Sequence, residues 1–313
     1  MIEINHGVRV NGTEFWLDAT KTKELSFVSH AHTDHAVRHR VAIVSQRTAI
    51  LYQHRVGQTQ LIELPFNKPA HVGNARVTLF PSGHILGSSQ ILIETDKRVV
   101  YTGDIKVNKG ETSEQIEIKP CDILIMECTY GEPRYVFPER ERTVKQLVNF
   151  VEKAFDMRCT PVIFAYSLGK AQETIKILGD KGYRLRVHKR IYEIAKVYEQ
   201  LGVRLRNYTP FPPFTPLRDV LLLPPYAKNF RDIKPIKKRM AILTGWALDK
   251  DATSRFGVDE VIPLSDHADY KELIRYVVEA QPKKVYTLHG SPKFASILMD
   301  MGIHAVHLFP LPT

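Results

Sequence analysis

Cysteine is scarce in this chain. Among its 313 residues only Cys121, Cys128 and Cys159 carry thiols. They make no CxxC pair and no even framework. That excludes a disulfide scaffold and cysteine-based zinc fingers, and it points to a reduced, cytoplasmic setting. Long apolar runs are missing as well; none approaches the ~18 residues of a membrane span. The opening stretch MIEINHGVRVNGTEFWLDAT lacks the basic start and apolar core of a signal peptide and alternates like strands. There is no internal repeat and no low-complexity tract. With 43% hydrophobic and 25% charged residues, the chain has the composition of a soluble globular protein with a substantial core.

Charge is unevenly spread. The net charge is +10, yet residues 133–255 hold 25 Lys and Arg against 12 Asp and Glu, a net of +13. The remainder holds 19 against 22, a net of −3. A basic segment beside a neutral-to-acidic body suits a polyanion such as nucleic acid, or else a well-solvated surface.

The rhythm of the chain changes at the same place. Up to about residue 132, short β-rich pieces such as ARVTLFPSG, SQILIET and RVVYTGDI are punctuated by Gly, Pro, Ser and Asp. From 133 to 255, strands alternate with helices: RTVKQLVNFVEKAF, TPVIFAY, a helix over SLGKAQETIKILGDKG with Ser167 as N-cap, RLRVH, IYEIAKVYEQLG and VRLRNY. The proline-rich loop TPFPPFTP follows, and then DVLLLPP and MAILTGW. This alternation predicts a parallel sheet flanked by helices. From 256 to 313 the chain returns to the first domain, which makes 133–255 an insertion.

The stretch SHAHTDHA, residues 29–36, places three histidines and an aspartate directly after the apolar run LSFV. Alternate residues of an extended segment share a face, so His30 and His32 point together. A turn then aims Asp34 and His35 back into the same space. Imidazole and carboxylate are ligands for zinc and similar divalent ions, and this spacing is enough to begin two neighbouring sites. His84 in PSGHILGSS, Asp104 in YTGDI, His267 in LSDHAD and His289 in YTLHGS repeat one topology: a strand, then a ligand, then a turn or helix.

HxHxDH followed by GH and GD resembles the signature of the metallo-β-lactamase superfamily. ECTYG at 127–131, SDHAD at 265–269 and LHG at 288–290 resemble motifs of its β-CASP nucleases. FAYSLGKAQE, TGW and LLLPP resemble the small ligase-associated exonuclease branch. The resemblance spans essentially the whole chain. It implies an α/β fold, an αββα sandwich (1–132 with 256–313) carrying an inserted β-CASP domain (133–255). It also implies a ligand plan: His30, His32 and His84 on one zinc, Asp34, His35 and His289 on a second, and Asp104 bridging, with manganese or iron as other fitting metals. Asp34 and Asp104 then count as catalytic along with Glu127 and His267, an acid/base pair beside the metals. Asp18, in LDAT where the family usually has a glycine, matches the aspartate that orients a ligating histidine. The crosslink-repair nucleases of the group generally lack a histidine at the place of His289.

Phosphodiester hydrolysis needs a hydroxide near neutral pH, charge neutralisation and a proton for the leaving oxygen. Two metals meet the first two needs, and His267 oriented by Glu127 meets the third. Ser167, Gly169 and Lys170 at a helix start form a candidate phosphate site, with Ser88 and Ser89 as further donors. Tyr130, Tyr135, Tyr166 and Trp246 are candidate base-stacking residues. The expected function is a DNA exonuclease of repair, with DNA ligase or helicase partners implied by the resemblance and RNA processing as the alternative. A small-molecule metallo-hydrolase leaves the basic insertion and the Glu127–His267 pair unexplained. An inactive scaffold conflicts with the full ligand set.

Overall fold

The computed structural model describes residues 2–211 and 219–308. By internal contacts the chain forms two compact units, residues 1–134 with 267–313 and residues 135–266. Among the described residues no helix is long and apolar enough to cross a membrane.

The first unit is built on two sheets. One runs in chain order through Ile2–Ile4, Val8–Val10, Trp16–Leu17, Leu25–Phe27, Val41–Ser45 and Gln60–Leu64. The other has seven strands in the order Ala305–His307, Lys284–Leu288, Ile123–Glu127, Arg98–Tyr101, Ser89–Glu94, Ala75–Pro81 and Ala70–Val72. Period-two alternation decides what each face buries. Ile91, Ile93, Tyr101 and Ile125 join Phe15, Leu17, Phe27 and Ile43 in the core between the sheets. The intervening Leu92, Val100, Leu124 and Met126 pack with Leu273 and Val277 of helix Tyr270–Ala280 and with Phe294 and Leu298 of helix Lys293–Asp300. Helix Gln46–Val56 packs on the first sheet at Val41–Ser45 and Gln60–Leu64. The layers therefore read helix, sheet, sheet, helix.

The second unit has a six-stranded sheet, parallel throughout, in the order Tyr208–Phe211, Arg184–His188, Asp219–Leu223, Thr160–Phe164, Lys238–Leu243 and Glu260–Ile262. The helices Arg140–Asp156, Lys170–Asp180 and Lys189–Gln200 each present an apolar stripe to it. Two details depart from the sequence reading. The strand assigned to VRLRNY begins only at Tyr208 and takes in Thr209–Phe211 of the proline-rich stretch, whose residues 212–216 lie outside the described residues. And Glu260–Ile262 pairs with Ala241–Leu243, so residues 256–266 belong to this unit, and the chain returns at 267, not at 256. With those bounds the second unit holds 24 Lys and Arg against 15 Asp and Glu, a net of +9.

Candidate metal centre

Strand ends of the first unit converge on one buried cluster. The 29–36 segment follows strand Leu25–Phe27 and turns over its second half. Ala36 N–H donates to the His32 carbonyl at 2.8 Å and His35 N–H to the same oxygen at 3.2 Å. The turn reverses the chain between His32 and His35. His84 and Asp104 enter through tight loops. Gly83 has φ 78° and a side chain there would meet the Lys106 carbonyl at 2.2 Å. Gly103 has φ 54° and a side chain there would meet Ser29 at 2.5 Å. Both positions demand glycine, and each directly precedes a ligand candidate.

The donor atoms of His30, His32, His84 and Asp104 all lie within 4.8 Å of one another. His32 Nδ1 is 3.1 Å from His30 Nε2 and 3.0 Å from His84 Nε2. Asp104 Oδ2 is 3.5 Å from His30 Nε2 and 3.6 Å from His84 Nε2. Tetrahedral ligands at zinc–nitrogen bond lengths sit about 3.3 Å apart, so this donor set fits such an ion. A second, more open set shares Asp104. His35 Nε2 lies 3.5 Å from Asp104 Oδ2 and 3.8 Å from Asp34 Oδ2, and its ring centroid is 5.4 Å from that of His289. The Asp34 carboxylate is largely exposed, whereas His35 is buried. Behind both sets stands Asp18, which is buried. It accepts from Ser29 N–H at 2.7 Å, Ser29 Oγ at 2.6 Å and Tyr101 OH at 2.9 Å, and pairs with His35 Nδ1 at 2.8 Å. Ser29 Oγ also lies 2.9 Å from His30 Nδ1, so one carboxylate orients His35 directly and His30 through a hydroxyl. Sequence reading misses Ser29 and Tyr101; nothing but their adjacency to SHAH and YTGD marks them.

Electrostatics follow from burial and crowding. Burial, then repulsion from His35, His84 and His32, holds His30 well below the usual histidine range. Burial followed by His35 lowers His289 to about 4. Burial also opposes a charge on His35, but Asp104 and Asp18 outweigh it and raise the group to about 10. Asp104 is raised, chiefly by burial. A cation entering the cluster would compete with these protons.

Beside the shared carboxylate lies the Glu127–His267 pair. His267 Nδ1 is 2.9 Å from Glu127 Oε1, and His267 Nε2 is 4.0 Å from Asp104 Oδ2. Glu127 ends strand Ile123–Glu127 and is buried. Burial works against its charge, but His267 and the N–H groups of Ile105 (2.8 Å) and Thr129 (3.4 Å) hold it below the usual carboxylate range.

The expected phosphate donors are placed differently. Ser88 is buried, and its hydroxyl bonds the Ser82 hydroxyl and both the carbonyl and N–H of Ile85. Ser89, equally buried, donates to the Ser29 carbonyl. In the second unit the helix after strand Thr160–Phe164 starts at Lys170 with Gly169, φ 87°, as N-cap, not Ser167. The Gly169 N–H is taken by Gln172 Oε1 at 2.8 Å. Lys170 is buried with its Nζ 3.4 Å from Asp266 Oδ2. Ser167 alone of that trio stays half-exposed. Tyr130 and Tyr135 are buried, while Tyr166 and Trp246 are exposed.

Residues 255–307 match the family model described as the Zn-dependent metallo-hydrolase RNA specificity domain. Three curated relatives extend the match along the chain. A probable DNA ligase of Opitutus terrae is 36% identical over 310 residues, 97% of this chain and 30% of that protein. An RNase J-like protein of Methanocaldococcus jannaschii is 25% identical over 283 residues, 74% of this chain and 67% of that one. The mouse DNA cross-link repair 1A protein is 24% identical over 313 residues, 88% of this chain and 30% of that one. The chain belongs to the β-CASP branch of the metallo-β-lactamase superfamily. A solved structure of a protein of unknown function from Enterococcus faecalis shares the fold, with a TM-score of 0.61 at 16% identity over 91% of this chain and 79% of that one. In family terms the first unit is the αββα sandwich and the second the inserted β-CASP domain. The chain spans less than a third of the length of the ligase-named and crosslink-repair relatives.

Proposed function

We propose that the chain is a zinc-dependent nuclease that cuts phosphodiester bonds of nucleic acid, preferentially from the ends of DNA. The observation that carries the reading is the Glu127–His267 pair facing the carboxylate shared by two donor sets. His30, His32 and His84 would hold one ion and Asp34, His35 and His289 a second, with the Asp104 carboxylate facing both donor sets. Divalent ions so held neutralise phosphoryl charge and make a nucleophile available near neutral pH.

The remaining work is done by side chains. Asp18 accepts a hydrogen bond from His35 Nδ1–H and so leaves Nε2 as the nitrogen that ligates once a cation displaces its proton. Glu127 accepts from His267 Nδ1 and stabilises its cation, so that Nε2 can deliver a proton to the departing oxygen. The net charge of +9 on the second unit supports a polyanionic substrate. A segment like this chain occurs within a protein named as a DNA ligase, which supports DNA and a ligase as repair partner. The match to a model described by RNA specificity, with the RNase J-like relative, favours RNA as the second reading.

The test is metal-loaded protein against end-labelled single-stranded DNA, duplex DNA and RNA, each with 5′-phosphate or 5′-hydroxyl ends. Shortening of DNA from its ends, lost by about 10²–10⁴-fold in His267→Ala with metal content unchanged, is the expected result. Inertness on every strand with both ions bound overturns the proposal.

A further inference from the structure

Among the described residues, the large aromatic side chains that stand exposed are Tyr166, Tyr226, Phe230 and Trp246. All four follow the C-terminal ends of strands in the parallel sheet of the second unit. Val187 pairs with Leu222, Phe164 with Leu223 and Phe164 with Ile242, so four neighbouring strands end at one edge. Across that edge the chain sets His188, then Tyr226 with Phe230, then Tyr166, then Trp246. At the usual strand separation the row spans about 14 Å.

At one end the rings touch. His188 lies 5.8 Å from Tyr226 and 5.9 Å from Phe230, and Tyr226 lies 6.2 Å from Phe230, centroid to centroid. Tyr226 is 59% exposed and Tyr166 61% exposed; a single exposed ring is ordinary, but several gathered along one sheet edge mark an interaction surface. Cations flank the rings: Lys189 and Arg190 follow His188, Arg231 follows Phe230, and all three are exposed. The carboxyl edge of a parallel sheet is also where open α/β folds bind ligands.

We infer that this edge is a stacking platform for single-stranded nucleic acid, with bases laid on Tyr226, Phe230 and Tyr166 and phosphates met by Lys189, Arg190 and Arg231. The inference rests on the nucleic-acid reading above and deepens it: the strand is held by base faces, without regard to base identity. Stacking on exposed aromatics tolerates every base, and flanking cations make it salt-dependent. A duplex hides its base faces, so the platform discriminates single strands from double.

The experiment measures affinity of the metal-loaded protein for a fluorescent oligodeoxythymidylate with phosphorothioate linkages, which resist hydrolysis, by anisotropy. The variant Tyr226→Ala with Phe230→Ala is expected to bind the single strand at least about tenfold more weakly, and its duplex binding is expected to stay unchanged. Tyr226→Phe keeps the ring and is expected to match the wild type, which separates stacking from misfolding. Unchanged single-strand affinity in the double alanine variant, as for a protein-docking patch, overturns the platform, and so does an equal loss on duplex. An unmodified strand that binds through these rings but is never cut overturns the nuclease reading alone. Normal cutting by the double variant with unchanged affinity overturns the platform alone.

Discussion

Replacing Asp18 by asparagine keeps the shape of the site and changes one property, the ability to accept from every neighbour. In the native site the carboxylate faces four groups, Ser29 N–H, Ser29 Oγ, Tyr101 OH and His35 Nδ1, at 2.6–2.9 Å. Only an acceptor satisfies all four, so His35 Nδ1 keeps its proton, and Nε2, which faces Asp104 at 3.5 Å, is the nitrogen that gives up its proton when a cation enters. An asparagine NH₂ turned to His35 donates to Nδ1 and drives the proton to Nε2, the ligating atom. Loss of such an orienting group weakens metal binding by about 10–100-fold, or about 1.4–2.7 kcal/mol. Asp18→Ala does more, because it strands four buried donors at about 1 kcal/mol or more each, at least about 4 kcal/mol of folding stability. Ser29→Ala is the control: it cuts the relay to His30 Nδ1 and leaves the Asp18–His35 bond in place. The assay is zinc competition against a chromophoric chelator, with stoichiometry, alongside denaturant unfolding of each variant. An Asp18→Asn protein with wild-type affinity for both ions refutes the tautomer argument.

Asp104→Ala is expected to lose both ions together, read by metal analysis after dialysis, because one oxygen faces both donor sets. Gly103→Ala should destabilise by about 2 kcal/mol or more in denaturant titration, since φ 54° and a 2.5 Å approach to Ser29 forbid the methyl group. The buried His39, held by burial at about 4 against an ordinary 6.5, gives a pH dependence of its own. Its folded value is depressed, so its contribution is intact above 6.5 and is lost as pH falls towards 4. Relative to His39→Asn, the wild type should lose about 2 kcal/mol of stability between neutral pH and about pH 5. Parallel stability–pH curves for the two proteins contradict this.

The candidate ligands are legible in the sequence because catalysis at a metal demands particular atoms. In a chain with only three scattered thiols, imidazole and carboxylate serve, and SHAHTDHA concentrates them where a strand ends. What it hides is where each side chain faces. Lys170 and Ser88 have the right chemistry for phosphate and the right neighbours in sequence. Yet Asp266, 96 positions further on, takes the lysine, and Ile85 takes the serine. Likewise VDEVIP has the alternation of a strand, but nothing local says whether it joins the first unit or pairs with Lys238–Leu243. Tyr130 and Tyr226 are the same residue type beside similar punctuation, and one is 4% exposed and the other 59%.

This difference in legibility has a physical origin in the two tasks. Hydrolysis uses groups held to a fraction of an ångström, and the fold suits that demand by seating candidate ligands just after strands anchored in the sandwich core. His30 follows Phe27, His84 follows Pro81, Asp104 follows Tyr101 and His289 follows Leu288, and those strands meet across one apolar interior. Crowded imidazoles that lower one another's proton affinity are unfavourable neighbours until a cation joins them. The rigidity of the core is therefore what keeps the cluster assembled for the ion. Holding a strand of any sequence asks for less precision and more surface: rings facing water and cations around them. That requirement names no residue spacing, so the proposed platform draws on His188, Tyr226, Phe230, Tyr166 and Trp246, residues scattered over 81 positions from 166 to 246 and brought into line only by the parallel order of the strands.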